Sequence, residues 1–132
     1  MAASGVQTWV LDLPVHTPPL SSNVRSHWTE RYREQQLFRS ATRLAILQAK
    51  LPRLDRCDIV LQITPPRRAR RDSDNYVANC LKPIKDGLVA AGLVDDDTDR
   101  FIRWRVELAE AEADRLGRWR YRLTITSLEP DA

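Results

Sequence analysis

Residues 57–99 read CDIVLQIT, PPRRARRDSDN, YVANCLKPIKDGLVAAG and LVDDDTD in unbroken succession, and this stretch decides the fold. From Cys57 to Thr64, Ile59, Leu61 and Ile63 alternate with Val60 and Gln62, the period of a strand in a largely buried sheet. Pro65 and Pro66 stop it. Further on, Val77, Cys80, Leu81, Ile84, Leu88 and Ala91 recur at helical spacing and predict one core-facing stripe, leaving Asn75, Asn79 and Lys82 on the other face. Inside that run Pro83 removes a hydrogen bond and crowds the carbonyl of Asn79, so a kink or a fresh helix start is expected there. Gly92 closes the helix.

Working outward, Thr8 to Leu13 predicts a first strand around Val10, and the prolines and SSN between Pro14 and His27 predict an irregular, ordered loop. Asn23, Arg25 and His27 stand in that loop where they could line a site, although His16 and His27 read more simply as exposed turn residues. From Thr29 to Lys50, Leu37, Phe38, Ala41, Leu44 and Ala45 recur at helical spacing behind a Thr29 N-cap, and Pro52 ends the helix. After the acidic loop, Ile102, Trp104, Val106 and Leu108 alternate with Arg103, Arg105 and Glu107. Then Trp119, Tyr121, Leu123 and Ile125 alternate with arginines and Thr124, which predicts an antiparallel hairpin with one core face and one arginine-rich face. The expectation is a single small α/β (α+β) domain: a mixed sheet of about four strands packed with two main helices.

Composition bounds the function without choosing it. A chain of 132 residues with 42% hydrophobic side chains can bury one proper core. Its formal charge is +3, and 18 of its 21 basic residues are arginine, whose planar fork suits phosphate. A G- and C-rich coding sequence gives the same bias, so nucleic acid is permitted but not required. Cys57 and Cys80 lack the spacing of a zinc knuckle or a disulfide framework and read as small buried residues. No stretch approaches a membrane span or a secretory leader, so a cytoplasmic protein with no membrane partner is expected.

The chemistry lies where the charges collide. Arg67, Arg68, Arg70 and Arg71 are suited to hold phosphate, whereas Asp72, Asp74 and the aspartates at 95, 96, 97 and 99 repel it unless a cation intervenes. Carboxylates crowded in this way resist ionising together, and a divalent ion relieves them. Such oxygen-rich clusters suit Mg²⁺, with Mn²⁺ as a substitute, and these ions complete their coordination with substrate phosphate oxygens. Calcium of the EF-hand type is excluded: after Asp95, Asp97 and Asp99, the required glycine is Arg100 and the required glutamate is Val106. Nor is there a glycine-rich phosphate loop or a serine nucleophile elbow. The residues alone leave three readings open: a metal-dependent nuclease, a non-catalytic nucleic-acid-binding module using the arginine run, and an enzyme acting on small phosphate esters.

The run RRARRDSDN, followed by a helix ending KDGLVAAGLVDDDT, resembles the signature of the RusA family of Holliday-junction resolvases, in which a basic stretch precedes D-x-D-N and a second acidic pair follows the helix. LDLPVHTPPLSSNVRSH, residues 11–27, is similar to the family's opening strand and proline-rich, asparagine-bearing loop. The resemblance covers most of residues 9–127, strongly at 67–97 and weakly at the last two strands. It implies a RusA-like homodimeric endonuclease that resolves four-way DNA junctions by paired, Mg²⁺-dependent cleavage. Carried over by position, the catalytic and metal-binding aspartates are Asp72, Asp74 and a third from the triplet. Ungapped counting from Gly92 gives Asp97 as that third one, with Asp96 beside it. The family's helix lysine falls on Lys82, provided that about four residues are inserted after Asn75. DNA contacts are assigned to Arg67, Arg68, Arg70, Arg71, Asn75, Asn23 and Arg25.

Overall fold

The computed structural model describes residues 6–18, 28–67, 81–98 and 100–129, with the backbone alone at 28–31. The elements are β1 (Thr8–Asp12), α1 (Trp28–Ala49), β2 (Arg56–Thr64), α2 (Lys82–Ala90), β3 (Ile102–Leu108) and β4 (Arg120–Leu128). They form a mixed four-stranded sheet, in the order β1-β4-β2-β3, with two helices: a small α+β domain, as the sequence predicts. Buried side chains fall on one face of the sheet. Cys57, Ile59, Leu61 and Ile63 of β2, and Tyr121, Leu123 and Ile125 of β4, are at most 1% exposed and join one core cluster with residues of both helices. The opposite face carries Val10, Arg105, Arg120 and Arg122, all of them exposed.

The predicted hairpin is not there. β3 runs parallel to β2 on one side, and β4 runs antiparallel to β2 on the other. Alternation fixes which face a side chain takes but says nothing about which strand is its neighbour. Parallel pairing of β2 and β3 needs a crossover, which α2 supplies. The segment after β3 then passes the end of β2, where Ala109 N–H donates to the Ile63 carbonyl (2.8 Å) and Glu112 N–H to that of Pro65 (3.0 Å), and so reaches the far side.

α1 buries three of the five positions expected, Phe38, Ala41 and Ala45, and its stripe is rotated to take in Thr42 and Ile46 in place of Leu37 and Leu44. Those two leucines remain 41% and 47% exposed. Small residues line this stripe because α2 comes very close. A Cβ placed on Gly87 would lie 2.6 Å from the Arg39 carbonyl oxygen and 2.8 Å from Thr42 Cβ. The buried Thr42 hydroxyl donates to the Phe38 carbonyl at 2.8 Å, so it carries no unmet polar cost. Phe38 in turn meets Tyr121 edge to face, with centroids 5.0 Å apart, and ties α1 to the sheet.

Gly87→Ala is therefore expected to destabilise the protein, although alanine is the better helix former. Overpacking against a backbone carbonyl that cannot swing aside costs about 3 kcal/mol, against a propensity gain of about 1 kcal/mol. Thermal unfolding should show Tm lower by roughly 5–10 °C; an unchanged Tm would mean that the helices separate at no cost.

Leu81, Ile84 and Leu88 face the core as expected, and Ala91 packs partly against it, while Val77 and Cys80 lie outside the described residues. Pro83 sits in the first turn of α2, where a missing N–H costs no helical bond. At the other end Gly92, at φ +80, makes a Schellman cap: Leu93 N–H reaches the Leu88 carbonyl at 3.0 Å and Gly92 N–H that of Val89 at 2.9 Å. Cys57 is fully buried and free, and burial pushes its thiol up to about 12, so it behaves as a core residue. Among the described residues no helix is long and apolar enough to cross a membrane.

Candidate functional site

The Gly92 cap does more than end α2. It turns Leu93 and Val94 into the core, where Leu54 N–H anchors the loop through the Leu93 carbonyl (2.7 Å), and it sets the next three aspartates on the surface. Each takes a different partner. Asp95 pairs with Arg53. Asp96 Oδ1 accepts the Asp97 N–H at 2.7 Å, which stiffens the turn. Asp97 extends back over α2 and accepts a hydrogen bond from Lys82 Nζ.

Lys82 lies at the start of α2, and its ammonium also pairs with Asp86 Oδ1 at 3.2 Å. Two carboxylates thus converge on one lysine. The Lys82 hydrogen bond holds the Asp97 carboxyl below the usual carboxylate range, against the opposing pull of partial burial. Hydrogen bonds from Lys82 to Asp97 and then to Asp86 raise the lysine in return. Both shifts favour the charged pair. Its contribution is complete between the ordinary carboxylate pKa of about 3.9 and the ordinary lysine pKa of about 10.4, and fades as pH falls through the lowered value or rises through the raised one.

These residues line an open groove of about 410 Å³ between the helices, together with Gln36 and Arg39 of α1, Val89 and Ala90 of α2, and Asp96. The side chain of Lys82 is 61% exposed and that of Asp97 20%, so the pair is within reach of a large ligand. An exposed pair is worth at most about 1 kcal/mol, so its presence contributes little to the fold.

Of the residues singled out from sequence, the structure brings Lys82 and Asp97 together, fifteen positions apart in the chain, and puts Asp96 on the same groove. Arg67 is exposed just beyond β2. Arg68, Arg70, Arg71, Asp72, Asp74, Asn75, Asn23 and Arg25 lie outside the described residues. Asp86, Gln36 and Arg39 are additions that the structure makes to the site. Asp86 has a signal in the sequence, since it stands four residues after Lys82 on a helix. Gln36 and Arg39 have none, because they reach the groove only through the close approach at Gly87.

Among the described residues no group of three or more His, Cys, Asp or Glu side chains is placed to hold a metal ion. What the groove offers is hard carboxylate oxygen from Asp97, kept ionised by its neighbour, and Mg²⁺ takes only one or two such ligands besides water and phosphate. That donor chemistry fits Mg²⁺ or Mn²⁺.

No family model matches the chain. Over 101 residues it is 35% identical to an uncharacterized protein of Xylella fastidiosa (strain Temecula1 / ATCC 700964), a match that covers 72% of this chain and 65% of that protein. The chain thus spans just under two thirds of that relative's length.

Proposed function

We propose that this chain is a Mg²⁺-dependent, structure-selective endonuclease of the RusA type that resolves four-way DNA junctions by paired phosphodiester cleavage. The observation that carries this reading is the meeting of Lys82 and Asp97 on one exposed groove. The resemblance at 67–97 requires a helix lysine and an aspartate of the triplet to serve one site, and nothing in stability terms calls for so exposed a pair.

In this reading Asp72, Asp74 and Asp97 hold the metal, whose chemistry is to activate water and to stabilise the departing oxygen. Lys82 is a mobile cation beside the carboxylates. Asp97 and Asp86 keep its ammonium charged and aimed into the groove until a phosphate displaces one of them. Arg39, on the groove wall, offers a second contact to the backbone. Arg67, Arg68, Arg70 and Arg71 supply sequence-independent grip.

Alanine at any of these four arginines is expected to weaken junction binding across sequences and to flatten its salt dependence, by a slope of roughly one for each phosphate left without its arginine. Unchanged slopes in all four variants would place the run away from DNA. Two opposed incisions on a two-fold substrate also call for two sites, so the working enzyme is a homodimer. Light scattering should give twice the chain mass at working concentration, and full resolving activity from a monomer would contradict this. Binding competition tests the substrate class: linear duplex should compete weakly with the junction and mononucleotides not at all, whereas strong competition by mononucleotides would mean a small-phosphoester enzyme.

A further inference from the structure

Trp104 lies on an edge strand at a position that should be covered. Among the described residues β3 pairs only with β2, and Trp104 stands in register with Ile59, which is fully buried on the helix-bearing face. Ile102, two residues earlier on β3, is also fully buried. Trp104 is nevertheless 41% exposed. What lies over its ring is the ammonium of Lys85, 5.9 Å from the ring centroid. A large aromatic surface is thus kept accessible under a cation that can move.

Lys85 links this ring to the helix that carries the groove's lysine. Lys85 follows Lys82 by three residues on α2, about 4.5 Å along a helix axis. Arg103 and Arg105 flank Trp104 in the chain, but strand alternation turns both to the opposite face of the sheet. Arg105 pairs with Glu107 at 3.0 Å, whereas Arg103 makes no ion pair among the described residues. An exposed aromatic face with a cation beside it is suited to unpaired nucleic acid, since a base can stack on the ring while a neighbouring phosphate meets the ammonium. In continuous duplex the base faces are already stacked. At a branch point that stacking is interrupted.

We infer that Trp104 is the platform on which a base at the DNA branch point stacks, with Lys85 moving from the ring to an adjoining phosphate, so that this edge of the sheet selects branched over linear DNA. The inference rests on the nuclease reading above and identifies the feature of the substrate that the chain recognises.

The test is binding by the full chain, without Mg²⁺, of a labelled four-way junction and of a linear duplex with the same arm sequences. Trp104→Ala should bind the junction about tenfold more weakly, within the range of one base–aromatic stack, and bind the duplex within twofold of wild type. Trp104→Phe should recover most of the loss, because it keeps an aromatic face. Equal losses on both DNAs, or none on either, would overturn the inference. So would dissociation of the Trp104→Ala protein into monomers with Trp104→Phe still dimeric, which would make this surface a subunit contact. Mg²⁺-dependent cleavage by the wild type is scored separately. If the wild type neither binds nor cuts the junction, the nuclease reading fails; if it does both and Trp104→Ala binds like wild type, only the platform fails.

Discussion

Asp97→Asn is expected to reduce Mg²⁺-dependent cleavage of a four-way junction about a thousandfold, the rate equivalent of roughly 4 kcal/mol of transition-state stabilisation. Junction binding measured without Mg²⁺ should stay unchanged or tighten, because one negative charge near phosphate is gone. The three aspartates of the triplet have different partners, and this predicts a steep order among them. Asp96 serves the turn through an oxygen that accepts the Asp97 N–H, and asparagine keeps such an oxygen, so Asp96→Asn should be much milder. Asp95 faces Arg53 across the surface, and Asp95→Asn should be milder still. Asp72→Asn and Asp74→Asn belong with Asp97→Asn in the resemblance to the RusA family. An inactive Asp96→Asn beside an active Asp97→Asn would shift the site by one residue and break the link to Lys82.

Lys82→Ala is expected to cut the cleavage rate at saturating junction by about a hundredfold, on the scale of a single charge-stabilising group, with little change in affinity. Two further measurements separate this from a structural role. The Lys82–Asp97 pair is exposed, so Tm should move by no more than about 3 °C. Lys82→Arg keeps the charge but replaces a compact ammonium by a planar fork, so it should restore only part of the rate. A Lys82→Ala protein that cleaves at the wild-type rate, or one that loses activity only in proportion to unfolding, would remove the lysine from the chemistry.

The parts of the fold that can be read in the sequence are those governed by local periodicity and punctuation. β2 announces itself through Ile59, Leu61 and Ile63 between the Cys57 start and the Pro65–Pro66 stop, and the end of α2 through Gly92, whose positive φ gives the cap its shape. What cannot be read depends on contacts between elements. Leu37 and Leu44 look like core residues by hydrophobicity, but α1 presents its small side chains to α2 because Gly87 leaves no space for larger ones. The spurious hairpin has a warning in it: eleven residues separate Leu108 from Arg120, more than a tight turn needs and enough to pass around β2. In the site, Lys82 and Asp97 are both legible in the sequence, by resemblance and by counting, whereas Asp86 reads there as an ordinary helix charge. The arginines after Arg67 and the first two aspartates lie outside the described residues, so their part of the site rests on sequence.

The most direct measurement of the central claim is incubation of the purified chain with an end-labelled four-way junction in Mg²⁺, in Mn²⁺ and in EDTA, with the products resolved at nucleotide resolution. Paired, symmetrically placed incisions in two opposed strands, present with either metal and abolished by EDTA, with linear duplex left intact, are the expected result. An intact junction in both metals, or equal cutting of linear duplex, would contradict it.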